Sequence, residues 1–360
     1  MIRAFIFCCL LVSLSCSKSD DDAPGPDPGP DPEPGSEKAY IAGFMDIGAG
    51  VYQAAYWSDG ESVPLPGAGP GANRGRASSI SIQGSDIYIG GFTAGNYGLA
   101  CFWKNGVRTD MASLDPEEHE LANGIFINGS DVYLCGEIDN PDGGQYASYW
   151  KNGNRTLLGF IDGVNTAYAY DIAVQQTNVY VAGRFHVSSY IGEACLWTNG
   201  QPAILSKVLA DRRAEARAVF VTGSDVWVCG WTGNNAEKPV PCFWKNGVRQ
   251  DLPISDPSGF GETKDIFVDG SDVYVAGFTT SSGVLIPCYW KNGNRVDLSR
   301  INTDDDGEAV GIRVVNGQVF VGGYTEKAST SPVPCFWKNN ERTDLNGQKA
   351  GYVRGMAIGK

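Results

Sequence analysis

The sequence predicts an all-β fold, a seven-bladed β-propeller of four-stranded antiparallel blades. Three observations carry that expectation. A Trp preceded by an aromatic residue or Leu recurs at Trp57, Trp103, Trp150, Trp197, Trp244, Trp290 and Trp337, at intervals of 46, 47, 47, 47, 46 and 47 residues. A constant period in this range marks propellers and solenoids, whose units bury their apolar faces against their neighbours. A turn of Asn-Gly type follows each Trp: Asp59-Gly60, Asn105-Gly106, Asn152-Gly153, Asn199-Gly200, Asn246-Gly247, Asn292-Gly293 and, as a variant, Asn339-Asn340. Both central residues of a type I′ hairpin need positive φ, which Asn, Asp and Gly tolerate best. No segment sustains a helical period, which leaves nothing to build a helical solenoid from.

Within a unit the strands follow in order, as the third copy shows. Strand a is Gly124 to Ile127, and the turn Asn128-Gly129-Ser130-Asp131 joins it to strand b, Val132 to Cys135. A longer loop, different in every unit, leads to strand c, Ala147 to Trp150. The Asn152-Gly153 turn then opens strand d, Arg155 to Leu158. The first unit begins directly at strand b (Tyr40 to Gly43), while Gly355 to Ile358 has the character of a strand a with no unit after it. The C-terminal strand is therefore expected to complete the first blade, closing residues 39–360 into a ring without a free edge. Such a ring is expected to be a monomer.

Composition narrows function. The 360 residues carry 41 acids against 28 Lys and Arg, a net charge of −13. A nucleic-acid binder needs a basic face, so that class is excluded. Two His leave little for metal centres or proton relays. No cofactor is expected.

The first 38 residues carry an address. Ala4 to Leu14 is an apolar run too short to span a bilayer, and it fits the core of a secretory signal over residues 1–15. Ser13-Leu14-Ser15-Cys16 resembles the lipobox of bacterial lipoproteins, and Ser17-Lys18-Ser19-Asp20-Asp21-Asp22 resembles the acidic signal that exports some of them to the cell surface. The resemblance implies cleavage before Cys16, acylation of Cys16, and an outer-membrane protein facing outward with its acyl chains in the bilayer. An ordinary cleaved signal with an incidental Cys is the alternative. Pro24, Pro26, Pro28, Pro30, Pro32 and Pro34 alternate with Gly, Asp and Glu, so residues 16–38 read as an extended tether.

The repeat itself resembles the HAF-type extracellular repeat. The matching stretches are Phe102-Trp103-Lys104-Asn105-Gly106 with Asp110, Phe243-Trp244-Lys245-Asn246-Gly247 with Asp251-Leu252, Tyr289-Trp290-Lys291-Asn292-Gly293 with Asp297-Leu298, and Phe336-Trp337 with Asp344-Leu345. The first, third and fourth units lack the Asp. The likeness covers about 300 residues and implies an extracellular propeller, but no particular activity.

Repeated residues read as structural and unrepeated ones as functional. The seven Trp are expected to pack between blades, five of them able to carry an Arg on the indole face across the c–d hairpin: Trp103/Arg108, Trp150/Arg155, Trp244/Arg249, Trp290/Arg295 and Trp337/Arg342. Seven Cys fall on repeated strand positions and read as free buried thiols; Cys229 and Cys242, on neighbouring strands, are the one candidate pair. Asp304 and Asp306 lie in a run with the oxygen spacing of a calcium loop, but its closing Glu is missing. The b–c and d–a loops vary and share one face, where binding is expected. Approaching strand a on that face are Arg76, Leu121, Tyr168, Glu215, Glu262, Glu308 and Tyr352, and two residues on come Ser78, Asn123, Tyr170, Arg217, Lys264, Val310 and Arg354. Just after strand b stand Phe44, Phe92, Trp231, Phe278 and Tyr324. Aromatic faces beside carboxylates and guanidinia suit a glycan or a surface protein. The competing expectations are a polysaccharide-acting enzyme using Glu215, Glu262 and Glu308, and a purely structural envelope component.

Overall fold

A computed structural model describes residues 37–359, apart from 68–73, 95–96, 113–117, 141–142, 162–163, 165, 188–190, 328–330 and 346–349. The signal, Cys16 and most of the tether lie outside the described residues. Within them, 28 strands form seven four-stranded antiparallel sheets in the order a-b-c-d, one per repeat. Blade four is representative: Ala167–Gln175, Asn178–His186, Gly192–Thr198 and Gln201–Ile204. The seven-bladed propeller follows.

Closure occurs as the sequence predicts. The C-terminal strand Gly351–Gly359 pairs with Lys38–Asp46 and serves as strand a of the first blade. Seven buried clusters hold the ring, each spanning two adjacent blades. Every repeat Trp is fully buried in one of them. Trp103 Nε1 donates to the Pro66 carbonyl at 2.9 Å, and Trp197, Trp244, Trp290 and Trp337 reach Gly159, Ser206, Pro253 and Ser299 in the same way. Each acceptor lies just beyond strand d of the preceding blade. The indole therefore fills the gap between sheets and ties its blade to the one before.

The Trp–Arg register is as expected, but the stacking differs. Trp103 faces Arg108 and Trp244 faces Arg249, while only Arg342 lies over its indole, at 5.9 Å. Residues two apart on a strand share a face, so the Asp two positions on captures the guanidinium. Arg108–Asp110, Arg249–Asp251, Arg295–Asp297 and Arg342–Asp344 pair at 2.5, 2.9, 3.1 and 2.6 Å. In the third blade, where that Asp is missing, Arg155 turns to Glu118 and Glu120. It is the Lys after the Trp that covers an aromatic ring, as Lys245 does over Trp227 at 4.6 Å.

The Asn of each turn has a second task. Asn105, at φ 50°, accepts the Ile87 N–H on Oδ1 and donates from Nδ2 to Asp86, while Lys104 pairs with the same carboxylate. The c–d turn is thereby locked to the a–b turn on one face of the ring. The b–c and d–a loops occupy the other.

Cys229 and Cys242 are both free and buried, because the register sets Cys242 opposite Gly230 and Cys229 opposite Phe243. Burial pushes the Cys101 thiol up to about 12, so at neutral pH it behaves as a small apolar side chain.

Candidate functional site

The innermost strands run longer than their sequence pattern suggests. Strand a of the third blade spans Glu120–Asn128, four residues more at its start than the alternation shows. The reason is a β-bulge. In every blade the a–b register slips by one residue, and the extra residue is Ser78, Asn123, Tyr170, Arg217, Lys264, Val310 or Arg354. An extra residue breaks the period-two pattern and re-aims a side chain. Here it turns all seven toward the axis, where they line one cavity of about 350 Å³ together with Arg76 and Phe92.

Each bulge needs a glycine across from it. A Cβ at Gly183 or Gly230 would overlap the carbonyl oxygen of Tyr168 or Glu215, and the corresponding Gly of the other five blades stands in the same relation to strand a.

The charges around the mouth are mostly paired. Glu215 is buried, at 4% exposure, between Arg184 and Arg217, the latter at 2.5 Å. Lys264 bridges Glu262 at 3.0 Å and Glu308 at 3.5 Å. These three carboxylates hold the cations of the ring in place and do not themselves line the cavity. Tyr168 and Tyr170 stack at 6.4 Å, with Arg184 4.8 Å over the first and Arg217 4.8 Å over the second. On the opposite side of the ring, Arg76 lies 4.9 Å over Phe44 and Arg354 5.4 Å over the same ring, with Tyr352 against Phe44.

Trp231 is 8% exposed and pairs with Glu215 across the blade; like Phe44 and Phe278 it is buried within strand b and is not among the residues that line the cavity. His119 accepts the Gly98 N–H on Nδ1, and His186 packs against Tyr168. Asp306 accepts the Leu285 N–H of the sixth blade at 2.7 Å, and Asp305 is held by Asn302 within its own loop. Among the described residues no three His, Cys, Asp or Glu side chains converge as a metal site.

Sequence reasoning missed three carboxylates. Asp171 and Asp265 follow the bulge at a position filled elsewhere by Ser, Gly or Ala, and both line the cavity. Asp171 accepts the Val219 N–H at 2.9 Å, and Asp265 accepts Ile312 N–H at 2.9 Å and Arg313 Nη1 at 2.6 Å. Burial pushes Asp171 up to about 7, aided by the charge of Asp265 and opposed by the Val219 N–H. Glu137, where most other blades have an aromatic residue, is likewise raised by burial to about 7 although Asn123 donates to it at 2.6 Å. The signal lay in the break from the repeat at those two positions. Below the carboxylates the channel turns apolar, lined by Ile80, Ile125, Ile172, Val219 and Ile266.

No family model matches the chain, and neither does any curated protein. Among solved structures it is similar to Pyrococcus horikoshii acylaminoacyl peptidase, at 12% identity and a TM-score of 0.51, over 88% of this chain and 52% of that one. It is also similar to a structure described in a study of two prolyl endopeptidases, at 9% identity and a TM-score of 0.51, over 87% and 50%. The chain thus spans about half the length of either, and at such identities the likeness is one of fold.

Proposed function

We propose that this protein is a surface-tethered binding module that recognises its ligand at the channel mouth, on the face that carries the variable loops. One observation carries the reading. The blades repeat in their Trp, turn and strand-b positions, yet the seven bulge residues aimed into the cavity do not repeat in kind. Ser, Asn, Tyr, Arg, Lys, Val and Arg form an asymmetric lining, which suits one ligand held in one orientation. The lipobox-like segment at Cys16 and the Pro-rich tether support presentation at a cell surface, with a glycan or a surface protein as partner. A glycan array probed with the full chain is expected to give hits that Tyr170→Ala and Arg217→Ala weaken and that Lys338→Gln, on the opposite face, leaves alone. Equal binding by all three variants would remove the channel mouth from the reading. Cys16→Ser is expected to move the protein out of the membrane fraction; retention there would refute the anchor.

A catalytic reading has one observation in its favour: Glu137 faces the cavity with a carboxyl raised into the range of a general acid. Its distinguishing measurement is reducing-sugar release from a bound polysaccharide, lost on Glu137→Gln.

A further inference from the structure

Resting on the channel-mouth reading, we propose that Arg76 and Arg354 form a subsite for an anionic sugar, a uronate carboxylate or a sulfate ester presented on a pyranose ring.

The other cations at the mouth are neutralised within the protein. Arg184 and Arg217 share Glu215, Lys264 lies between Glu262 and Glu308, and Arg313 is held by Asp265. Arg76 and Arg354, contributed by neighbouring blades, are different. Both are exposed, both line the cavity, and among the described residues neither has a carboxylate partner. Instead they lie over the same Phe44 ring, at 4.9 and 5.4 Å, with Tyr52 and Tyr352 within 6 Å. Two guanidinia on one ring repel, and desolvation together with the charge of Arg354 holds the Arg76 pKa below its ordinary value. An anion placed between them would relieve that repulsion and accept charge-assisted hydrogen bonds from both planar forks. Ser78, on the same innermost strand as Arg76, offers a hydroxyl to a neighbouring sugar oxygen. Phe92 and Tyr352 are partly exposed beside it, and their flat faces suit the C–H face of a pyranose better than a bare carboxylate on a flexible peptide. The acids of the cavity, Glu137, Asp171 and Asp265, belong to blades three, four and six, and Arg76 and Arg354 to blades two and one. The cavity is therefore polarised, with its free positive charge on one side.

The test is binding of oligogalacturonate to the full chain, with its methyl ester as the uncharged control, a sulfated dextran as the sulfate arm and poly-glutamate as the peptide arm. The wild type is expected to bind oligogalacturonate or sulfated dextran and to reject the methyl ester. Arg76→Gln and Arg354→Gln should each weaken binding by roughly tenfold, and raised salt should weaken it further. Arg354→Lys keeps the charge and should recover part of the loss. Unchanged thermal midpoints confirm that the variants are folded, since both side chains are exposed. If the methyl ester binds as well as the acid, and both Gln variants bind like the wild type, the anion subsite is overturned while the binding face stands. If poly-glutamate binds as tightly with the same Arg dependence, the sugar assignment falls. If no sugar of either charge binds, on the array or in solution, glycan recognition fails and this subsite with it.

Discussion

Glu137 shows what a single residue contributes when it departs from the repeat. Its counterparts include Phe44, Phe92, Trp231, Phe278 and Tyr324, aromatic side chains within strand b that face strand a. A carboxyl there loses hydration and holds its proton to about 7, and Asp171 does the same. The ordinary values for the two groups are 4.5 and 3.8, so both are raised on folding. Between about pH 4 and 7 the folded chain then keeps protons that the unfolded chain has released, and stability falls as pH rises through that window. Glu137→Gln retains an oxygen for Asn123 and removes the titration. Its unfolding free energy is expected to vary less between pH 5 and 7.5 than that of the wild type, by on the order of 2 kcal/mol. Identical slopes for the two proteins would show that Glu137 is not held protonated. The break from the repeat marks Glu137 in the sequence, but its protonation does not show there, because the shift comes from burial in the folded chain.

At the scale of the element, the strand pairing was legible and the bulge was not. Asn-Gly and Asp-Gly turns fix most c–d hairpins, and turns that open on a positive-φ residue, such as Gly129 and Gly223, fix the a–b hairpins, so they can be read from two residues at a time. Alternation locates a strand only while its period holds. The extra residue at Asn123 or Arg217 shifts the phase, so the front half of strand a looked like a loop approach rather than strand. The repeat period is indifferent to that slip, so Ser78, Asn123, Tyr170, Arg217, Lys264, Val310 and Arg354 still align as equivalent positions, and all seven line the cavity. The glycine across from the bulge is the element's other half. At Gly230 a Cβ would overlap the Glu215 carbonyl and press on the Trp244 ring, and the nearest atoms are backbone, which cannot swing aside. Gly230→Ala is expected to cost roughly 1–3 kcal/mol in urea denaturation. It should also loosen ligand binding through Arg217, whose bulge it disturbs. Wild-type stability in this variant would mean the bulge is held by something other than the close approach.

For the whole molecule, the closing strand is the feature on which the ring depends. Gly351–Gly359 pairs with Lys38–Asp46 along its length and contributes Val353, Met356 and Ala357 to buried contacts on both sides. It also delivers Tyr352 and Arg354 to the channel mouth, so closure and the binding site share one strand. The closure could be read from the sequence because the first unit lacks a strand a and the last is followed by one. The charge layout at the mouth could not, since it depends on which guanidinium faces which carboxylate across blades. Removing residues 351–360 would leave strand b of the first blade as an unpaired edge and uncover the apolar flank of the seventh. Loss of Val353 and Met356 burial alone costs roughly 1.5–3 kcal/mol per side chain. An open strand edge also invites pairing between copies. The truncated chain is therefore expected to melt well below the full chain and to run as oligomers in size-exclusion chromatography. Adding the excised peptide in trans should restore both the monomer and ligand binding. A truncated chain that stays monomeric at the full-length melting temperature would show that six complete blades and an open first blade suffice, and would detach the site at Arg354 from the integrity of the ring.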